Sequence, residues 1–360
     1  MEAAVDEWSP LESDSGVFRE LLRENGVHGV DVADVYDTDT FADDCAARGT
    51  LVLGYVLLLD KGRHQHTMEP TDTATSAAAA TAAPDEPLWF ARQIVNNACA
   101  THALLSVVMN LDRVTATLRA AAAAETATAS ATDASATAGL DAVALGEPLA
   151  AFRAFTAGFD AQMRGLAVGN SAALRRAHNS FRNEARELLC AGARDDPRRA
   201  AHTDDPRTRL YHFVTYVVVR TAAGAYDACE LDGLYNAAPV RVLRADSYGA
   251  AHRGLLAFLA QRLHALGTRD LFFALMALVT DAQPVLQQRL AAAAAAGDTA
   301  ACALVQDELD ALARRRAAQD RENARRRHNC LPLVLGLLER LAQNGSLAML
   351  VESRKGASTD

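Results

Sequence analysis

The sequence predicts a mixed α/β fold, and three stretches carry that expectation. From Ala98 to about Leu111 the Ala, Leu, Val and Met residues run without Pro or Gly, as an apolar helix does. Tyr211 to Val219 is dense in β-branched and aromatic residues and reads as a buried strand. From about Gln288 to the end the pattern turns helical, first alanine-rich and then leucines spaced among charges. With 360 residues, half of them hydrophobic, the chain can bury one sizeable core and a smaller appendage.

In chain order, the acidic start Met1 to Trp8 has no basic segment ahead of an apolar run, so no secretory signal is expected. Thr67 to Pro87 is rich in Thr, Ala and Pro, and Ala120 to Gly139 is nearly all Ala, Thr and Ser. Both read as surface insertions, near 67–87 and 115–145, that bury little apolar surface. For Ala120 to Ala124 the competing reading is a continuation of the preceding helix. Between them, Asn96 and Asn97 are placed to cap the helix that begins at Ala98. Gly, Asp, Pro and Arg cluster from about 187 to 209 and predict a long irregular loop. The strand from Tyr211 is then followed by an Ala222-Ala223-Gly224 turn and a second strand from Tyr226 to Leu231. If this hairpin is centred near Ala222, residues whose numbers sum to about 444 stand opposite each other, which pairs His212 with Asp232 on one face. A bulge at Asp227 or Cys229 would break that register. In the tail, Arg314 to Arg316 and Arg325 to Arg327 are expected on solvated helix faces. Pro332 can open a last helix, whose apolar face from Leu333 to Leu341 stops at Asn344-Gly345.

Chemistry enters at Cys99, in the first turn of the predicted helix. Unpaired N–H groups and the positive end of the helix dipole favour a thiolate there. Gln93, six residues upstream, can supply a side-chain N–H beside the backbone N–H of Cys99 as a second donor to an oxyanion. The bland reading is that Cys99, like Cys45, Cys190, Cys229, Cys302 and Cys330, is a small buried hydrophobe. A nucleophilic cysteine needs a base and a group that orients it. His212 and Asp232 fit those roles through the hairpin. His102, three residues after Cys99, competes for the base, but a helical side chain leans back over the preceding turn, and a packing or solvent role is expected for it. His64 and His66 lack nearby cysteines, and no CxxC pair, HExxH, Walker loop or GxGxxG is present, so no metal or nucleotide cofactor is expected. The net charge of −9 argues against a nucleic-acid binder, and no apolar run reaches membrane-spanning length.

These residues resemble the signature blocks of the ubiquitin C-terminal hydrolases, the papain-like cysteine deubiquitinases. The resemblance rests on Gln93, Asn96 to Thr101, the block opening at His212, and Glu230 to Leu234. In matching order it also includes Trp8 with Glu12 to Phe18, Phe159 to Ala167, Gly169 to Ser171, His178 to Phe181, and Leu275 to Ala277. It implies a central antiparallel sheet flanked by helices. It also implies Cys99 as nucleophile, His212 as general base and acid, Asp232 as its orienter and Gln93 as oxyanion donor. The segment near 187–209 would be the crossover loop under which the ubiquitin tail is threaded.

The ending Glu322 to Pro332 with Leu333 to Glu352 is similar to the extension of the long-tailed members, of which the proteasome-associated type is the closer match. Its usual lysine- and glutamate-rich end is missing here. The resemblance therefore implies a catalytic domain over 1–287 and a helical regulatory or partner-binding extension over 288–360. The expected partners are ubiquitin, its conjugates and, through the C-terminal helices, a proteasomal ubiquitin receptor, with a cytoplasmic and nuclear location. The alternatives are a non-catalytic ubiquitin-binding scaffold, a chromatin-complex deubiquitinase, and an unrelated papain-like protease or acyl transferase.

Overall fold

The computed structural model describes residues 8–60, 84, 87–128, 137–182, 211–265 and 275–350. Most of the 67–87 insertion, the expected crossover loop, and His64, His66 and Cys190 lie outside the described residues.

Helix α1 (Ser15–Glu24) starts where the Asp14 carboxylate accepts the N–H groups of Gly16 and Val17, and it buries Val17, Phe18, Leu21 and Leu22. Two short strands follow, β1 (Val27–His28) and β2 (Val30–Asp34), then helix α2 (Phe41–Ala47) and the long strand β3 (Val52–Asp60). The apolar stretch after Ala98 is α3 (Cys99–Val108), in which every residue except Cys99 is buried. A helix apolar on all sides belongs inside a core rather than at a surface. Asn110 ends α3. Its side-chain amide donates to the Ser106 and Trp89 carbonyls and its Oδ1 accepts the Trp89 N–H at 2.8 Å, locking the segment ahead of Gln93 to the end of the helix.

Helix α4 (Leu111–Thr128) continues into the alanine-rich stretch, so the part of the second insertion up to Thr128 is helix and not irregular surface chain. Alanine has the highest helix propensity, and α4 already supplies the nucleus, so extension costs little. Then come α5 (Ala138–Asp141), β4 (Ala144–Leu145), α6 (Glu147–Phe155), α7 (Ala161–Asn170) and α8 (Ala172–Asn179). The second half brings β5 (Tyr211–Arg220), β6 (Tyr226–Leu231), β7 (Val240–Ala245), α9 (Tyr248–Ala265), β8 (Leu275–Thr280), α10 (Ala282–Ala295), α11 (Thr299–Arg327) and α12 (Leu331–Gln343).

Six strands form one antiparallel sheet in the order β2-β8-β3-β5-β6-β7. One face carries Tyr55, Leu57, Val214, Tyr216, Val218 and Ala277 against Ala251, Leu255 and Leu259 of α9. On β5, Thr215 donates its hydroxyl to the Ala103 carbonyl at 2.9 Å, which docks α3 on the sheet. Each fully buried Leu, Val or Phe in such a core contributes about 1.5–3 kcal/mol.

The chain divides into two compact units, Met1–Ser180 with Leu210–Arg321, and Phe181–Arg209 with Glu322–Asp360. The division falls inside α11, whereas position 287/288 falls inside α10. Within the first unit α11 is largely exposed but clamped at one point. The buried Asp31 carboxylate on β2 meets Arg315 at 2.7 Å and Arg316 at 3.1 Å, and Arg316 also meets Asp281 at 2.6 Å. The solvated face expected for Arg314 to Arg316 is thereby corrected at Arg316, whereas Arg315 reaches Asp31 with its side chain still 43% exposed. β2 presents a carboxylate that no water shell compensates, and guanidinium groups satisfy it. In the second unit Arg327 lies over the Phe181 ring at 4.3 Å. Pro332 occupies the first turn of α12, Asn344 caps its end and Gly345 follows with φ 77°, as the sequence predicts, and Leu333, Leu335 and Leu337 on α12 are exposed.

Candidate active site

Cys99 is the first residue of α3 and is half-buried. The expected cap by Asn96 or Asn97 is not formed. Ala98 holds the cap position with no side-chain bond, while Asn97 turns into the left-handed region at φ 61° and donates its side-chain N–H to the Trp8 carbonyl at 2.9 Å. Asparagine is among the few non-glycine residues that adopt this conformation readily. Having turned there, its side chain points away from the helix N–H groups it was expected to cap.

His212 lies near the start of β5 and is buried. Its Nε2–H donates to the Oδ1 of the fully buried Asp232 at 2.7 Å. A carboxylate can only accept, so the bond fixes the ring nitrogen that carries the proton and leaves Nδ1 as the nitrogen for proton transfer. The Tyr235 ring stands edge-on to the imidazole at 5.5 Å.

The expected register is two residues out. β5 and β6 pair as Thr215 with Leu231 and Val217 with Cys229, numbers that sum to 446. Extended to Asp232, that register sets it opposite Val214 and diagonal to His212. A shift of two keeps the same face, so the pair still meets. The extra length sits in the turn, where the Thr221 N–H bonds the Ala225 carbonyl and Gly224 has φ 92°. The bulge anticipated near Cys229 exists, but on the other side of β6, in its pairing with β7 between Ala228 and Cys229.

Gln93 is brought to this corner by the backbone. Its N–H donates to the Gly233 carbonyl at 2.8 Å, and the neighbouring Arg92 N–H donates to the Ala161 carbonyl at 2.8 Å. Both approaches need glycine. A Cβ on Gly233 would lie 2.6 Å from the Ala91 carbonyl oxygen, and one on Gly165 would lie 2.0 Å from that of Arg92. The side-chain amide donates to the Val95 carbonyl at 3.1 Å, which sets its plane and leaves the second amide hydrogen for another acceptor.

His102 is buried, which rules out the solvent role and leaves the packing one. Burial lowers its pKa to about 4, a hydrogen bond with the Ala91 backbone opposes this, and the nearby His178 and His212 add to the lowering. Sequence reasoning assigned no role to His178, whose imidazole bridges Thr101 of α3 and the Ser9 carbonyl. A lone buried histidine on a short helix has no periodicity to expose it. Among the described residues no cluster of His, Cys, Asp and Glu is arranged to hold a metal ion.

A cysteine at a helix N-terminus, a buried His-Asp pair and a glutamine segment tied to the turn after Asp232 are the parts that a thiol hydrolase requires. The family model described as ubiquitin carboxyl-terminal hydrolase, family 1, matches residues 8–140 and 128–253, and a second, for ubiquitin carboxyl-terminal hydrolases, matches 303–347. The chain belongs to this family and is a cysteine deubiquitinase of its long-tailed type.

It is similar to ubiquitin carboxyl-terminal hydrolase ubh-4 of Caenorhabditis elegans, at 28% identity over 98% of this chain and 93% of that protein. Isozyme L5 of Dictyostelium discoideum is 23% identical over 97% and 95%. Among solved structures, Trichinella spiralis UCH37 bound to ubiquitin vinyl methyl ester shares the fold with a TM-score of 0.57. The identity there is 23%, over 87% of this chain and 99% of that one.

Proposed function

We propose that this deubiquitinase cleaves the bond after the C-terminal glycine of ubiquitin through Cys99, His212, Asp232 and Gln93. The observation that carries the reading is the buried 2.7 Å His212–Asp232 pair, joined through β5 to the helix that begins at Cys99. The Cys99 thiolate, favoured by the first turn of α3, attacks the glycine carbonyl and forms the C–S bond. The second amide hydrogen of Gln93 and a backbone N–H at the start of α3 donate to the oxyanion. Nδ1 of His212 takes the Cys99 thiol proton, gives it to the leaving amine as the C–N bond breaks, and then takes a proton from the water whose attack on the thioester breaks the C–S bond and releases the Cys99 thiolate. Asp232 holds the ring and stabilises the imidazolium.

The Trichinella enzyme is bound to ubiquitin vinyl methyl ester, and family membership supports ubiquitin as the substrate here. The exposed leucines of α12 support docking of a helical, apolar partner such as a proteasomal ubiquitin receptor. The test is trapping with ubiquitin carrying a C-terminal electrophile. A covalent adduct in the wild type that Cys99→Ala lacks supports the assignment. An adduct that persists in Cys99→Ala removes it.

A further inference from the structure

The start of α3 lacks a side-chain cap, yet the residues around Cys99 are held from outside the helix. Asn97 is the one described non-glycine residue with a positive φ, and its side chain is tied to the Trp8 carbonyl at 2.9 Å. The residue after Trp8, Ser9, is fastened at three atoms. Its N–H and hydroxyl donate to the Asn179 Oδ1 at 3.0 and 3.2 Å, and its carbonyl accepts the His178 Nε2–H at 2.7 Å. With Nε2 protonated, Nδ1 of His178 is an acceptor, and it takes the Thr101 hydroxyl proton at 2.8 Å. The Trp8 ring covers the imidazole edge-on at 4.8 Å. Cys99 thus stands between two anchors, Asn97 two residues before it and Thr101 two residues after it, and both lead to the same Trp8–Ser9 segment.

We infer that His178 and Asn179 are positioning residues for the reaction: by clamping Trp8–Ser9 they hold Asn97 left-handed and fix where the Cys99 sulfur leaves α3. The inference rests on Cys99 being the nucleophile. A displacement of about 1 Å at a reacting atom can cost about 100-fold in rate, so an uncapped helix start needs an external brace. The neutral imidazole the brace requires is consistent with burial lowering the His178 pKa to about 4.

The test uses the full chain and compares wild type, Asn97→Ala, Asn97→Gly, His178→Gln and Cys99→Ala. It reads kcat and KM on a ubiquitin C-terminal amide and the pH dependence of Cys99 alkylation by iodoacetamide. Asn97→Ala, which loses the tie and the left-handed preference together, is expected to lower kcat about ten-fold with KM within about two-fold. Its alkylation profile should move to higher pH. Asn97→Gly loses the tie but takes the same φ without strain, so it should recover part of the loss. His178→Gln keeps one donor and one acceptor but loses the rigid ring under Trp8, so it should move in the direction of Asn97→Ala by a smaller factor. Wild-type kcat and alkylation profile in both Asn97→Ala and His178→Gln would overturn the inference. So would losses that vanish once rates are corrected for the folded fraction, since those mark a purely structural role. Adduct formation that survives Cys99→Ala would overturn the underlying nucleophile as well.

Discussion

Asp232 offers one oxygen to three donors at once: His212 at 2.7 Å and the backbone N–H groups of Leu234 and Tyr235 at 2.9 and 3.2 Å. The two backbone donors demand an acceptor at that point whatever the side chain's charge. Asp232→Asn should therefore place its own oxygen there, keep the proton on His212 Nε2, and lose only the negative charge. The expected cost is about 10- to 100-fold in kcat, well short of the ~10⁴ seen when a triad histidine is forced into the wrong tautomer. A loss of ~10⁴ would mean that the amide nitrogen had turned toward the imidazole. Gln93→Ala removes an oxyanion donor and should cost about 100-fold in kcat with little change in KM. A change confined to KM would reassign Gln93 to substrate binding. At this scale the cysteine, histidine, aspartate and glutamine are legible because their chemistry restricts residue type and spacing. Asn97, His178 and Asn179 are not. They lie inside blocks that carry the family resemblance, but their roles depend on contacts across more than 80 residues of sequence, which no local pattern shows.

Among the elements, the hairpin of β5 and β6 shows what sequence can and cannot fix. Two β-rich runs around a glycine turn are visible in the residues, but turn length is not, and the observed register differs from the expected one by two. Helix ends are unevenly legible. The stop of α12 at Asn344-Gly345 follows from local capping chemistry, whereas the start of α3 departs from expectation because Asn97 spends its side chain on Trp8. The arginines of α11 depart for a related reason. Helix periodicity shows a charged face but not the buried Asp31 waiting opposite it. Asp31→Ala strips Arg315 and Arg316 of that partner and should destabilise the first unit by about 3 kcal/mol, measured by urea unfolding. An unchanged midpoint would show that water and Asp281 satisfy the guanidinium groups equally well.

For the molecule as a whole, three buried histidines make stability depend on acid. Burial holds His102, His178 and His252 near pKa 4, below the 6.5 of an unfolded chain. Between those values the unfolded state binds more protons, so their contribution is fully present above about pH 6.5 and is lost as pH falls toward 4. With all three engaged, the slope approaches about 4 kcal/mol per pH unit. Denaturation midpoints measured from pH 7 to pH 4.5 should fall steeply, and a flat profile would show these imidazoles reaching water. Where the chain is cut should matter too. Ending it at 287 removes the buried Val305 together with Arg315 and Arg316, while ending it at 321 keeps them. The chain ending at 321 should unfold at the full-length midpoint of the first unit and the chain ending at 287 well below it. Equal midpoints would deny α11 any part in that unit.

The first helix of the chain and the last of this unit touch. Arg19 meets Asp320 at 3.1 Å, the side chain of Gln319 crowds Gly16, and β8 is hydrogen-bonded to both β2 and β3. During synthesis the sheet therefore stays open on both sides of the β8 position until residue 280 has left the ribosome. The arginine clamp closes only some thirty-five residues later still, about two to seven seconds at ordinary elongation rates. Until β8 arrives β2 and β3 present unpaired edges, and until α11 follows Asp31 lacks its two α11 arginines, so the nascent chain exposes strand edges and a buried-site carboxylate that the finished enzyme covers.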